Sequence, residues 1–362
     1  MAVRDILLNG KFLSAAPTGV HRVAAELAGA LAGLIRDAYP GTEGLRLSAM
    51  VPEDGMARAS VLPFAARQLG PLRGIPWEQI TLPLRKGQGT LLNLCNIGPV
   101  LSRDAVTMIH DTQVLLTPES YRPAFRMWYR TVQPLIGVRH RHLLTVSEFS
   151  RQQIVQAGLC RPERISVVHN GADHILREKS DPAVFHKLGL TGQGYVLALA
   201  STLAYKNIGL LLRAFHRPEL EGLKLVLFGS SNAAQFEAQG MKVRASALFA
   251  GRIDDAALRH LMENALALAF PSTTEGFGLP PLEAMHVGCP VVASPCGALP
   301  EVCRDAAAYA GPDDPAAWAA ALARMRDDPA WRQRHIDAGL EQAQHFTWAK
   351  AAATLAGILS RI

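Results

Sequence analysis

The sequence predicts an α/β chain of two doubly wound units, each a parallel sheet covered by helices on both faces. Three observations carry this. Short continuous apolar runs alternate with helical segments along the chain, as parallel strands buried on both faces do. The alternation is interrupted once, by a polar stretch over residues 172–194, and then resumes. The length, 362 residues, exceeds the size at which one hydrophobic core usually stops growing.

In the first unit, residues 5–9 read as a strand, followed by a glycine-containing loop and a helix over 20–38. Further buried strands are expected at 47–51, 90–94, 105–109, 142–146 and 165–169. Arg177, Glu178, Lys179, Ser180, Asp181 and Pro182 make 172–194 the expected linker. The second series runs through strands at 195–200, 223–228, 247–250, 266–270 and 290–293, with helices at 208–215 and 255–264. Residues 348–362 form one amphipathic helix. Two such units joined by one linker are expected to leave a cleft suited to a ligand.

Composition excludes several classes. With 49% hydrophobic and 19% charged residues, the chain can bury real cores and is not disordered. The net charge of +6 suits an anionic partner or a generally basic protein, and alone decides neither. Aromatics are only 6%, without the aromatic–basic interleaving of a nucleic-acid groove, so no nucleic acid is expected. Five cysteines without C-x-x-C spacing fit a reducing compartment and argue against a zinc site or disulfide scaffold. No signal-peptide pattern and no apolar run long enough for a membrane span are read, so the expected location is cytoplasmic, at most peripheral on the inner face of the plasma membrane.

The most informative text is PSTTEGFGLPPLEAMHVGCPVVASPCGALPE, residues 271–301. A buried strand runs into Glu275-Gly276-Phe277-Gly278 and then into a helix opened by Pro280 and Pro281. Glycines let backbone approach a ligand, and a helix N-terminus offers free N–H groups to a diphosphate. Glu283 is expected in about the first helical turn, and Glu275 just ahead of the loop. Carboxylates bracketing such a turn suit a nucleoside diphosphate sugar, one taking ribose and the other sugar hydroxyls. Taken alone, the same text is equally a glycine-rich turn with a capping glutamate.

This stretch resembles the E-x7-E signature of the family-4 retaining glycosyltransferases. Glu275 and Glu283 are separated by seven residues, GFGLPPL, which is the family's usual text. The resemblance continues through Gly288, Pro290, Val291, Val292 and Ala293, Leu299-Pro300-Glu301, ASTLAYKNIGLLLRAF at 200–215, and Phe249 with Gly251. It extends to VHNGAD at 168–173, His110-Asp111, TVSEFSR at 145–151, TGVHR at 18–22 and FTW at 346–348, and so covers nearly the whole chain. It implies a GT-B fold: an acceptor-side domain over 1–175 with a C-terminal helix 346–362 crossing back to it, and a nucleotide-sugar-binding domain over 190–345.

Carried over residue by residue, the resemblance implies that Lys206 contacts the donor diphosphate and Glu283 the ribose. Glu275, with the amides of Gly276, Phe277, Gly278 and Leu279, would lie near the transferred sugar. A cation beside a departing diphosphate offsets its developing charge, which supports the lysine's role. Many relatives carry an arginine a few residues before this lysine; here Ser201, Thr202, Leu203, Ala204 and Tyr205 precede it. Either another basic residue substitutes, or Ser201 and Thr202 bond the phosphate. Gly19 resembles the loop glycine that lets backbone approach the diphosphate, and His110 the histidine near the reacting sugar. Asp111, Ser147 and Glu148 are acceptor-side candidates; His169 and His286 read as structural.

The implied reaction moves a hexose from a nucleotide sugar to a hydroxyl with retention. Double displacement through a carboxylate is one route; same-face attack, with the departing phosphate taking the acceptor proton, is the route the resemblance favours. No Asp-x-Asp motif stands near the site, and neither metal nor other cofactor is expected. GDP-mannose is the first donor expected, with dTDP-rhamnose or a UDP-sugar as alternatives and a non-catalytic nucleotide-sugar-binding protein as the rival class. The expected acceptor is a saccharide or a polyprenyl-diphosphate-linked saccharide of cell-surface polysaccharide assembly. Arg122, Arg126, Arg130, Arg139 and Arg141 would suit an anionic bilayer, or equally an ordinary solvated helix.

Overall fold

The apolar runs of the first half become one parallel sheet. The structure, a computed structural model, describes residues 3–190 and 194–362, and all statements of count or absence refer to these. β1 (Arg4–Asn9), β2 (Leu45–Val51), β3 (Ala66–Gln68), β4 (Thr90–Asn93), β5 (Ala105–Met108), β6 (His142–Thr145) and β7 (Ile165–Val167) pair in the order β3-β2-β1-β4-β5-β6-β7. The register sets Ile6 beside Leu47 and Leu8 between Ala49 and Leu92, so buried side chains line up across the sheet.

A second parallel sheet contains β8 (Tyr195–Ala200), β9 (Lys224–Gly229), β10 (Ala247–Gly251), β11 (Ala267–Phe270), β12 (Val291–Ala293) and β13 (Ala307–Tyr309). Their order is β10-β9-β8-β11-β12-β13. In each sheet the order reverses beside the first strand, between β1 and β4 and between β8 and β11. Connections leave such a switch point in opposite directions and open a crevice at the carboxyl ends of the strands.

The chain divides into one unit of Met1–Gly171 with Thr347–Ile362 and another of Ala172–Phe346. This corrects the expected boundaries of 1–175 and 190–345 and the linker between them. The polar stretch is part of the second unit, where the helix Ala183–Leu188 packs against the helix over 255–264. Asp181 N–H donates to Ala256 O at 3.1 Å, Arg259 donates to Leu176 O and Glu178 O, and Ser180 Oγ pairs with His260 Nδ1 at 2.7 Å. Its polarity thus serves surface hydrogen bonds. Residues 191–193 of that stretch lie outside the described residues.

Nine helices matter below: α1 (Gly19–Arg36), α2 (Pro123–Arg139), α3 (Glu148–Gln156), α4 (Ile208–Ala214), α5 (Asp255–Asn264), α6 (Leu279–His286), α7 (Pro315–Asp327), α8 (Pro329–Ala343) and α9 (Trp348–Arg361). In α1, Val23, Ala24, Leu27, Ala28 and Leu31 are buried at helical spacing. That face packs against α9, whose Ala351, Ala352, Leu355, Ala356 and Leu359 are buried in turn. Each fully buried leucine there contributes about 1.5–3 kcal/mol, so the expected return of the C-terminal helix to the first unit is strongly held. Gly171 makes the return possible, since a Cβ there would stand 2.2 Å from Trp348 N. No helix among the described residues is long and apolar enough to cross a membrane.

Candidate active site

In the second unit, the loops leaving β8 and β11 meet at the switch point. Lys206 ends the short turn Ala204–Lys206, and Asn207, at φ 55°, turns the chain into α4. Lys206 Nζ donates to Glu275 Oε1 at 2.6 Å, and the two side chains are only 15% and 12% exposed. The rings of Tyr205 and Phe270 lie 5.3 and 5.4 Å from the ammonium, a second attraction that holds it in place. Thr273 N–H donates to Tyr205 O at 2.8 Å, and Asn207 Nδ2 to Pro271 O, so backbone bonds also tie the two loops together.

Glu275 is fixed from behind by Gly297. A Cβ at Gly297 would stand 2.4 Å from Glu275 N, and its φ of 62° also favours glycine; Ala298 N–H donates to Glu275 O at 3.0 Å. Gly278, at φ 102°, caps α6 in a conformation that L side chains rarely adopt. Gly276 is buried beside it. The Phe277 ring is committed to the core, edge-on to Phe346 at 5.7 Å.

The helix begins at Leu279, one residue before the prolines, and Glu283 is its fifth residue. This refines the expected placement in about the first turn: the carboxylate stands at the start of the second. There Glu283 Oε1 pairs with His174 Nε2 at 3.0 Å, both side chains being nearly buried at 9% and 3% exposed. Ser272 Oγ and Ser294 Oγ, just past β11 and β12, are buried without a hydrogen-bond partner among the described residues. Unpaired buried hydroxyls are costly unless something bonds them. Ser201, past β8, accepts from Leu203 N–H at 3.4 Å, and Thr202 beside it is half-buried.

Sequence reasoning missed His174, Gly297 and the two serines. Gly297 left a signal, since a glycine just before Leu299-Pro300-Glu301 marks a close approach. His174 left none, because its partner lies far along the chain. The reading of His286 as structural agrees with its Nε2–H donating to Phe346 O at 3.2 Å.

The remaining candidates belong to the first unit. Gly19 opens α1, is exposed, and has no atom near a would-be Cβ, so the fold itself does not demand glycine there. His110 follows β5 but is buried: Nε2–H donates to Leu94 O at 2.8 Å, and burial pushes its pKa down to about 4. The ring is therefore neutral near pH 7, with Nδ1 carrying the lone pair. Asp111 Oδ1 accepts from Gln113 N–H, Ser147 caps α3 by accepting from Ser150 N–H at 3.0 Å, and Glu148 pairs with Arg151 at 2.9 Å. Each of these three has a local structural task.

Two doubly wound parallel units, the second with a glycine-rich loop at its switch point, make up the GT-B fold. Anabaena HepE in complex with UDP-glucose superposes over 99% of this chain and 100% of its own, with a TM-score of 0.74 at 18% identity. The sequence profile of the glycosyl transferases group 1 matches residues 181–342. O-antigen chain mannosyltransferase B of Escherichia coli is 33% identical over 255 residues, 67% of each chain. O-antigen chain mannosyltransferase RfbU of Salmonella typhimurium is 26% identical over 237 residues, 64% of this chain and 63% of that one. The chain belongs to the group 1 glycosyltransferases and is a glycosyltransferase.

Proposed function

We propose that the second unit binds a nucleoside diphosphate hexose, GDP-mannose first, and that the enzyme moves the hexose with retention to a saccharide or polyprenyl-diphosphate-linked saccharide hydroxyl in cell-surface polysaccharide assembly. The observation that carries this reading is the Lys206–Glu275 pair bridging the loops of β8 and β11, with the Glu283–His174 pair on the helix that follows. Two O-antigen mannosyltransferases among the relatives support the choice of mannose.

In this reading Glu283, oriented by His174, accepts hydrogen bonds from the ribose hydroxyls. The α6 amides and Lys206 meet the diphosphate, and Glu275 with the loop amides meets the sugar. The anomeric C–O bond breaks as the acceptor oxygen arrives on the same face, and the leaving phosphate takes the acceptor proton. Lys206 and the helix N-terminus stabilise the charge that develops on that phosphate. These groups supply the electrostatic stabilisation without a metal, so EDTA should leave the rate within about twofold.

The exposed Met127 (68%) and Val138 (74%) on α2, beside Arg122, Arg126, Arg130 and Arg139, support peripheral binding to an anionic membrane at the cytoplasmic face. Co-sedimentation with phosphatidylglycerol but not phosphatidylcholine vesicles tests it. Arg141 is committed elsewhere, to Ile362 O and Asp104. The function itself is tested by nucleoside diphosphate release from GDP-mannose, dTDP-rhamnose and UDP-glucose, with product configuration read by NMR. Donor affinity without release would favour the non-catalytic alternative. Neither release nor thermal stabilisation by any of the three would sink the donor assignment.

A further inference from the structure

We propose that Phe346 is a positioning residue for the donor: its ring holds the loop 275–278 and its carbonyl holds the far end of α6, so the site's geometry is set where the chain leaves the second unit. The inference rests on the transferase reading above and deepens it by naming what keeps α6 in place around Glu283.

α6 is short, eight residues from Leu279 to His286, and the residues at both of its ends reach the same partner. Ahead of it, the buried Phe277 ring meets the Phe346 ring edge-on, with centroids 5.7 Å apart. At its last residue, His286 Nε2–H donates to Phe346 O at 3.2 Å. Burial holds the His286 pKa below its ordinary value, so near pH 7 this is a hydrogen bond from a neutral ring. Glu283 and His286 are three positions apart and so stand side by side on one helical face. That face is turned toward the two ends of the second unit. Glu283 pairs with His174, just past Ala172 where the unit begins, and His286 pairs with Phe346 where it ends.

Phe346 is itself anchored. Its N–H donates to Ala343 O at 2.9 Å, at the end of α8, and α8 packs along α6. Its carbonyl also accepts from Ala172 N–H at 3.0 Å. One oxygen therefore serves the first residue of the second unit and the last residue of the donor helix, using both of its lone pairs.

Filling the core behind the loop needs only apolar bulk, which leucine supplies. The edge-to-face meeting of two rings, and a carbonyl shared between two N–H donors, need a particular geometry. A binding site has to be held within about 0.5 Å of its productive arrangement by the residues behind it. For the loop amides and Glu283, the residue behind both is Phe346.

The test is titration calorimetry on the full chain with GDP, UDP and dTDP, and then on variants with whichever binds most tightly. Phe346→Leu keeps apolar bulk and the carbonyl but removes the ring edge, and should weaken nucleotide binding about threefold to tenfold. His286→Leu should do the same, whereas His286→Gln, whose amide still donates, should stay within about twofold of the parent. Leu322→Ala, in the core of the second unit on α7, lowers stability without touching these contacts and should leave the affinity unchanged. Should Phe346→Leu not fold, the two histidine variants decide. Unchanged affinity in Phe346→Leu or His286→Leu, an equal loss in Leu322→Ala, or no recovery in His286→Gln overturns the inference. Failure of the unmodified chain to bind any of the three nucleotides overturns instead the donor reading on which the inference depends.

Discussion

In the proposed reading Glu283 and Lys206 meet different parts of the donor, and substitution would separate them. Glu283→Gln keeps the size of the side chain but weakens the hydrogen bonds to ribose, in ground and transition state alike. Donor KM should rise about tenfold with kcat little changed. Lys206→Ala removes a charge that matters most as the diphosphate leaves, so kcat should fall about 10²–10³-fold. Steady-state kinetics with GDP-mannose reads both, and equal effects on kcat and KM from the two variants would refute the division. His174→Gln should stay close to the parent, while His174→Ala should raise donor KM as Glu283→Gln does. Glu275, Glu283 and Lys206 were legible because each stands in a short run whose residues act together. His174 and the contacts of Phe346 were not, because folding alone brings their partners together from distant segments.

His140 adds a pH dependence remote from the donor loop. Its ring is held between Thr107 Oγ1 and Pro99 O, and burial pushes its pKa down to about 4, with nearby Arg164 adding to the depression. Between that value and the ordinary one near 6.5, the unfolded chain binds a proton that the folded chain refuses. The stability from this residue is full above the ordinary value and is lost as pH falls toward 4. Moving from pH 7 to pH 5 should cost about 2 kcal/mol at this residue. Urea unfolding at the two pH values should show that difference shrink in His140→Gln.

At the scale of elements, the start of α6 depends on what lies behind it. Gly297→Ala places a methyl against the Glu275 backbone at a positive φ, and should cost about 2 kcal/mol or more in stability. Because the displaced residue is Glu275, activity should fall further than stability explains, as kcat measured well below the melting temperature would reveal. On the far side, α8 packs on α6, with Gly339 bringing its backbone close to Met285. Neither α7 nor α8 was anticipated, although each opens with an aspartate cap followed by proline, Asp314-Pro315 and Asp328-Pro329. Alanine is the commonest residue of α7, and α8 is rich in polar residues, so neither shows the broad apolar stripe that made α1 and α9 plain. The edge strand β3, Ala-Arg-Gln, has no apolar run at all, and only its pairing with β2 makes it a strand.

At the scale of the whole molecule, the two-unit architecture was legible because buried parallel strands leave continuous apolar runs, whereas the boundary was not. Polar composition suggested a free linker over 172–194, but those residues hydrogen-bond to α5 and belong to the second unit. Removal of residues 347–362 should therefore unfold the first unit, since it removes the helix that covers α1 together with its buried Trp348, Leu355, Ile358 and Leu359. Residues 172–346 produced alone should fold and still bind a nucleoside diphosphate, as circular dichroism and calorimetry would show.

The seam gives the reason to expect that piece to fold alone. The chain leaves the first unit at Gly171 and re-enters it at Thr347, with Gly171 packed against Trp348. Just beyond, Ala172 N–H donates to Phe346 O at 3.0 Å, so the second unit's two ends are fastened to each other. The second unit is thus an insert between adjacent points of a continuous host, which on the proposed reading would make the donor-binding half an exchangeable cassette. Recombination across that seam would leave the first unit's framework of β1 to β7, α1 and α9 intact.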